Sequence, residues 1–138
     1  MTTPFYTADC TTGSGVSPKA GLGVLAVSGT YTTLAKLVAE DVIHMVKVPP
    51  GCTVLDVILD CAVMDASAAL TLSVGYTGAL TAFINVSTVG QAGGIARLSV
   101  TGGTQKAFTT EDTIQVSVGT GPTDTTLGIM KLTVIYTM

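Results

Sequence analysis

The stretch "VKVPPGCTVLDVILDCAV" (residues 46–63) decides the fold, because a turn signal is followed directly by the alternating apolar pattern of a β-strand. Pro49, Pro50 and Gly51 supply the fixed and the positive φ values that tight turns need. Beyond the turn, apolar residues occupy every odd position from 55 to 63, whereas aspartates stand at 56 and 60. This period of two predicts a half-buried strand, with these residues on its core face: Leu55, Val57, Leu59, Cys61 and Val63.

Asp56 and Asp60 fall on the other face of the predicted strand. A strand rises about 3.3 Å per residue, so four positions separate the two carboxylates by roughly 13 Å. The paired catalytic carboxylates of glycosidases lie closer together, at about 5 to 9.5 Å. We therefore expect Asp56 and Asp60 to be solvent-facing or interface charges rather than an acid/base couple.

The same alternation recurs in residues 23–34, 69–76, 95–101, 113–119 and 128–137. Residues 41–48 form a further strand candidate that is apolar on both faces, and residues 79–86 are a weaker, shorter one. Within 113–119 the alternation predicts that Gln115 is exposed, and within 128–137 that Ile135 faces away from the core. Only residues 32–42 suggest a short helical turn. About eight strands separated by turn signals predict an all-β protein, an antiparallel β-sandwich or jelly roll.

The first 21 residues differ from the rest, because they mix Pro, Gly, Ser and Thr without a sustained period. We interpret residues 1–21 as an extended N-terminal arm and residues 22–138 as the jelly-roll domain. Phe5 and Tyr6 are notable in the arm, since aromatic residues make up only 5% of the chain. Two hypotheses stay open for these rings: they dock on a neighbouring subunit, or they pack onto their own domain.

Charged residues make up only 11% of the sequence, against about 25% in ordinary soluble domains. A surface of Thr, Ser and Gly with few charges is prone to associate. This composition favours a protein whose exterior is covered by other subunits. The alternative is a Thr-rich monomer.

Several classes of partner and site are disfavoured by the sequence. The six Lys and Arg residues are scattered, so no basic stripe indicates nucleic-acid binding. The uncharged run 66–96 is broken by glycines and does not predict a membrane span. No secretory signal is visible, and we expect Cys10, Cys52 and Cys61 to be reduced in a protein made in a cytosol.

Catalytic and metal-binding patterns are also missing from the sequence. His44 is the only histidine, so neither a catalytic triad nor a histidine metal site can be assembled around it. The Gly-rich stretches at 13–15 and 119–121 do not have the spacing of a phosphate-binding loop. We predict no catalytic residues, no cofactor and no metal, and hence a protein that is not an enzyme.

Several segments carry a resemblance to a known family: "DVIHMVKVPPGCTVLDVILDC" (41–61), "LTLSVG" (70–75), "TVGQAGGIARL" (88–98), "EDTIQVSV" (111–118) and "GIMKLTVIYT" (128–137). Together they resemble the capsid decoration, or cement, proteins that stabilise the heads of tailed bacteriophages. The resemblance covers residues 22–137 and leaves out the N-terminal arm. Its motifs are structural, and the family supplies no catalytic residue to carry over.

The resemblance implies a jelly-roll virion protein, made in the host bacterial cytoplasm and placed as a trimer on the exterior of an icosahedral capsid. There it would bridge neighbouring major capsid proteins and hold the head against internal pressure. Our hypothesis for its contact residues is a set of six: Phe5, Tyr6, Asp56, Ile58, Asp60 and Ile135.

Two other functions compete with this interpretation. A jelly-roll module on a virion surface could bind host glycans or receptors, for which Tyr76, Asp56 and Asp60 are the available side chains. An enzyme of the cupin type would need several His and Glu metal ligands. The single histidine disfavours that enzyme.

Overall fold

The computed structural model describes residues 23–101, 106–123 and 126–138. Within these ranges the chain forms nine strands and one short helix: β1 Val24–Thr32, β2 Val42–Val48, β3 Thr53–Cys61, β4 Thr71–Tyr76, β5 Ala79–Ser87, α1 Val89–Ala92, β6 Gly94–Arg97, β7 Lys106–Ala107, β8 Asp112–Thr120 and β9 Ile129–Thr137. Phe5, Tyr6 and the predicted arm lie outside the described residues.

The strands form two antiparallel sheets that pack face to face. The first sheet has the order β1-β9-β3-β6. Both β6 and the short β7 pair with β3: β6 with its end at residues 58–61, and β7 with its start at Thr53 and Val54. The second sheet has the order β2-β8-β4-β5. This arrangement confirms the predicted antiparallel β-sandwich.

The pairing of the strands is nested around one central hairpin. β4 pairs with β5, β3 with β6, β2 with β8, and β1 with β9, so the chain folds as one long hairpin wound across two sheets. This is the jelly-roll arrangement. The described chain has nine strands rather than about eight, because β7 adds a strand of two residues that is too short to show a period.

The core lies between the sheets and follows the predicted alternation closely in β8 and β9. Met130, Leu132, Val134 and Tyr136 of β9 are fully buried, as are Ile114 and Val116 of β8. Burial of a large apolar side chain contributes about 1.5–3 kcal/mol, so these two strands supply much of the stability.

Two of the residues predicted to lie on the core face of β3 are not buried. A bulge between Val54 and Asp56 shifts the register against β9. It turns Val54 into the core and leaves Leu55 half-buried, so the prediction for Leu55 was wrong. Val63 lies beyond the last residue of β3 and is 41% exposed, so its predicted burial was wrong as well.

Residues 32–42 contain no helix, in contrast to the predicted helical turn. Apart from one turn bond, from the Asp41 amide to the carbonyl of Val38, the backbone bonds of this segment go to distant parts of the chain. Thr33 donates its amide to the carbonyl of Gly128, and Glu40 donates to Val118. Starting a helix fixes several residues for one hydrogen bond, so these tertiary bonds win over the local preference.

Candidate interaction surface

The first sheet presents an outer face on which the described members of the predicted contact set meet. Ile58 of β3 lies opposite Thr133 of β9, and Asp56 lies opposite Ile135. Asp60 follows on the same face, opposite Lys131. Cross-strand neighbours on one face lie about 4.5–5.5 Å apart at Cβ. The fold therefore brings Asp56, Ile58, Asp60 and Ile135 together, whereas Phe5 and Tyr6 fall outside the described residues.

Charges on this outer face are balanced and partly paired. Arg97 of β6 forms an ion pair with Asp56, whose other carboxylate oxygen accepts the amide of Val57 at 2.8 Å. Asp60 has Lys131 opposite it on β9 and Ile95 opposite it on β6. Asp56 and Asp60 are thus balanced by Arg97 and Lys131, so the described part of this face has no net charge.

Aliphatic side chains fill the space between these charges. Ile58 and Ile135 are half-buried against their strand neighbours, and Ile95 is exposed. An apolar surface with few, paired charges is typical of the centre of a stable protein interface, where charged residues are depleted. The arrangement suits burial against another protein surface, and the Asp56 carboxylate is already engaged with Arg97 and with the amide of Val57.

A second apolar surface lies at the end of the sandwich where β1 and β3 stop and β9 starts. We call Leu34, Val63, Leu127 and Ile129 the loop-end patch; they are 85%, 41%, 49% and 51% exposed. Thr33 and Ala62 donate their amides to the carbonyls of Gly128 and Ile129, which holds the three segments side by side. This patch was not predicted from the sequence, because Leu34 and Val63 fell within runs interpreted as strands and Leu127 lies in a connection without a period.

Tyr76, proposed for the glycan-binding alternative, belongs to a different part of the molecule. It lies in β4 of the second sheet, with its ring centre 5.2 Å from that of Phe108 and 5.8 Å from that of Phe83. The Lys106 ammonium lies 4.7 Å from the centre of the Tyr76 ring. Asp56 and Asp60 are on the outer face of the first sheet, so the three residues do not form one cleft.

The outer face of the second sheet is buried at its centre, which overturns the predicted exposure of Gln115. Gln115 lies opposite Gly75 in the register, and a Cβ at Gly75 would collide with the backbone at Ala79 and Leu80. The start of β5 therefore lies close over β4 at this point. Gln115 and Ser73 are both buried on this face.

Hydrogen bonds satisfy the buried Gln115 amide. Its Nε2 donates to Thr77 Oγ1 and to Thr113 Oγ1, each at 2.9 Å. Thr77 in turn donates to Asp112 Oδ1 at 2.7 Å. His44 Nδ1 lies 2.8 Å from Thr113 Oγ1 at the exposed side of this network. His44 is thus a surface histidine on a strand face.

Asp65 is a fully buried carboxylate in the connection between β3 and β4. Burial by itself would raise the pKa of Asp65, but the amides of Ala69, Leu70 and Ser67 donate to the carboxylate and lower that pKa below its ordinary value. The Ala69 and Leu70 bonds are both 2.8 Å long. Asp65 thus fixes the shape of the β3–β4 connection.

The thiols of Cys52 and Cys61 are free and buried, as predicted. Burial raises the pKa of Cys52 to about 11 and that of Cys61 to about 12. Cys10 lies outside the described residues. Both described thiols therefore pack as small apolar side chains.

Among the described residues, no three His, Cys, Asp or Glu side chains are grouped so that they could hold a metal ion. The helix in the same ranges is too short to span a membrane.

No protein-family model matches the sequence, and no curated protein matches it. Solved structures do match. The chain is similar to a chain of the cyanophage Pam1 capsid asymmetric unit, with 25% identity and a TM-score of 0.78 over 86% of this chain and 87% of that one. It is also similar to a chain of the capsid of Ralstonia phage GP4, with 27% identity and a TM-score of 0.74 over 88% of each chain.

A third match shares the fold alone. It is a chain of the acidic stable capsid structure of Helicobacter pylori bacteriophage KHP30, with 15% identity and a TM-score of 0.59 over 83% of this chain and 87% of that one. The first two matches confirm the predicted resemblance to capsid-associated phage proteins. Similarity over most of its length to chains of phage capsids supports a structural role for this protein in a phage virion.

Proposed function

We propose that the protein decorates the exterior of an icosahedral phage capsid as a homotrimer, bridges neighbouring major capsid proteins and stabilises the head. The observation that carries this proposal is the similarity of 86–88% of the chain to chains of two phage capsids. The predicted arm, residues 1–21, and the jelly-roll domain, residues 22–138, are the two parts of the protein in this proposal.

The outer face of the first sheet is the capsid-binding surface in this proposal. Its centre is aliphatic and its four charges balance, which suits burial against another protein. A ligand that binds only the assembled state stabilises that state by mass action. A decoration protein that binds the shell and not the free coat protein stabilises the head in this way, without any chemical step.

The test is co-sedimentation of the purified protein with capsids of its own phage assembled without it, together with the melting temperature of those capsids. We expect the protein to sediment with the capsids and to raise their melting temperature. Image reconstruction should place it on the outside of the shell. Failure of the wild-type protein to bind, or density inside the shell, would contradict the decoration function.

Two variants test the proposed surface. Ile58→Asp and Ile135→Lys each place a new charge on the outer face, beside an acid and a base that already pair with each other. Burying an uncompensated charge in an interface costs about 2–5 kcal/mol, so binding should weaken at least about tenfold. Thr81→Asp and Asn85→Lys put the same charges on exposed positions of β5 and should bind normally. Normal binding by the first pair would exclude this face as the contact surface.

The glycan-binding alternative is not carried forward, because its three side chains lie on two different sheets.

A further inference from the structure

Each sheet of the sandwich ends in edge strands whose outer backbone groups have no partner in the sheet. Such edges are templates for pairing with other chains, and proteins usually protect them with short strands, bulges or charged side chains. In the described ranges the edges are β1 and β6 with β7 in the first sheet, and β2 and β5 in the second.

Three of these edges carry protection. β2 has a bulge between His44 and Val46 and bears Lys47. The pairing of β5 with β4 shifts register twice. β6 and β7 are only four and two residues long and bear Arg97 and Lys106.

β1 has no such protection. It runs for nine residues, "VLAVSGTYT", without a charged residue or a proline. Its register with β9 is continuous from Val24 to Thr32, without a bulge. Within the described part of the chain, β9 is the only strand that pairs with it. A long, regular, uncharged edge is suited to accept another strand.

We propose that the free edge of β1 accepts a strand from the N-terminal segment of a neighbouring copy, formed by residues 2–12 of that copy. This inference rests on the homo-oligomer proposed above and names the contact that joins its subunits. The added strand satisfies the free backbone groups of β1 and extends the first sheet from one subunit into the next.

The sequence of the segment favours this occupant. Residues 2–12, "TTPFYTADCTT", are rich in Thr and contain Phe5 and Tyr6, which are residues that favour strands. Asp9 is the only charged residue of this run. Eleven residues span roughly 36 Å as a strand and nine span roughly 30 Å, so the run matches the length of β1.

The connection to β1 favours a neighbouring copy over the same chain. Residues 13–23 separate the run from β1, and they hold four glycines and Pro18. Hairpin loops are usually about 2–5 residues long, so this connection of eleven residues is poorly suited to a tight return onto its own strand. A fully extended segment of 22 residues reaches about 70 Å, which exceeds the roughly 35 Å width of a domain of this size.

Disulfide trapping between two copies tests the proposal on the full-length protein. One copy carries Cys10→Ser and a new cysteine at one outward position of β1, in the series Ala26→Cys, Ser28→Cys, Thr30→Cys and Thr32→Cys. The other copy keeps Cys10 and carries a mass tag. Successive side chains of a strand point to opposite faces of the sheet, so only one of positions 10 and 11 can share a face with the β1 cysteines. The series is therefore repeated with a tagged copy that carries Cys10→Ser and Thr11→Cys. Buried Cys52 and Cys61 do not interfere.

We expect a disulfide-linked pair of tagged and untagged copies for at least one β1 position. Thr81→Cys, on the edge strand β5, is the matched control and should give no such product. A tagged copy that also carries the β1 cysteine tests the same-chain alternative. The inference is overturned by a disulfide within that single chain, by equal linkage at position 81, or by no linkage at any position.

Solution mass and capsid binding of the same samples separate this inference from the proposed function. If the protein is an oligomer that binds capsids but gives no linkage, the proposed strand exchange is contradicted and the decoration function is not. If the protein is a monomer that binds no capsid, both proposals are contradicted.

Discussion

Asp65 shows how one buried carboxylate can hold a connection between strands. Because hydrogen bonds lower its pKa in the folded protein, its ionised form adds stability above the unfolded pKa of about 3.9, and that stability is lost as the pH falls through the folded value. We predict that Asp65→Asn lowers the free energy of unfolding at pH 7, and that its difference from the wild type shrinks in acid. Urea unfolding at pH 7 and pH 3 measures both effects.

Asp60→Asn is the matched control for this prediction, since Asp60 is exposed and at the surface of β3. It should change stability little at either pH. A loss for Asp65→Asn that is equal at both pH values would show that the charge of Asp65 is not what holds the connection.

Gly29 of β1 lies where the first sheet closely approaches β2 of the second sheet. A Cβ at this position would overlap the carbonyl oxygen of Met45 in β2. Overpacking of this kind costs typically about 1–3 kcal/mol, and we expect Gly29→Ala to lower the free energy of unfolding by about 2 kcal/mol or more. Ser28→Ala, one position away on the outer face, should stay within about 0.5 kcal/mol of the wild type. Equal stability of the two variants would contradict this account.

Cys52 and Cys61 should resist chemical modification in the folded protein. A pKa of about 11 at Cys52 leaves only about one thiol in a thousand ionised at pH 8, and the pKa of Cys61 is higher still. In a Cys10→Ser variant we expect a thiol reagent to label neither cysteine until denaturant is added. Rapid labelling of the native variant would show that the interior opens far more readily than its packing indicates.

At the scale of elements, β9 is the strand on which the first sheet depends, since it pairs with β1 on one side and β3 on the other. Leu132 sits at its centre and is fully buried. Leu→Ala changes in cores cost about 2–5 kcal/mol, and we predict a loss in this range for Leu132→Ala. The neighbouring exposed change Lys131→Ala should cost less than about 0.5 kcal/mol, as chemical unfolding can measure. A small effect of Leu132→Ala would mean that the core collapses around the cavity.

The same strand shows what could be predicted from the sequence. Each of its four inward residues was predicted, because alternation is a local property that survives unchanged in a regular strand. In β3 the period fails at Leu55, since a bulge depends on the partner strand and leaves no mark in the sequence. The prediction for Gln115 was wrong for a similar reason: Gly75 and Thr77, which lie beside it, come from another part of the chain.

The candidate surface was predictable only in part. Alternation placed Asp56, Ile58 and Ile135 on outward faces, and the register then set Asp56 beside Ile135. The pairing of β3 with β9 joins distant parts of the chain, which no local pattern can specify. Leu34 and Leu127 of the loop-end patch lie in irregular connections, where apolar residues do not signal whether they face solvent.

At the scale of the whole molecule, the low charge predicts how the proposed oligomer responds to salt. Only 11% of residues are charged, and the balanced outer face leaves little for ions to screen. We expect the oligomeric mass, measured by light scattering, to stay constant between about 0.05 M and about 1 M salt, where the Debye length falls from more than 10 Å to about 3 Å. Dissociation at high salt would show that ion pairs hold the subunits together.

The nested pairing of strands also bears on how the protein is made. β1, at the start of the described chain, finds its only described partner in β9, at the very end. A nascent chain on the ribosome can close its innermost hairpin, β4 with β5, but the first sheet stays incomplete until β9 has left the exit tunnel. Because such long-range contacts slow folding, the surface formed by β3 and β9 should become available to a partner only after β9 has been synthesised.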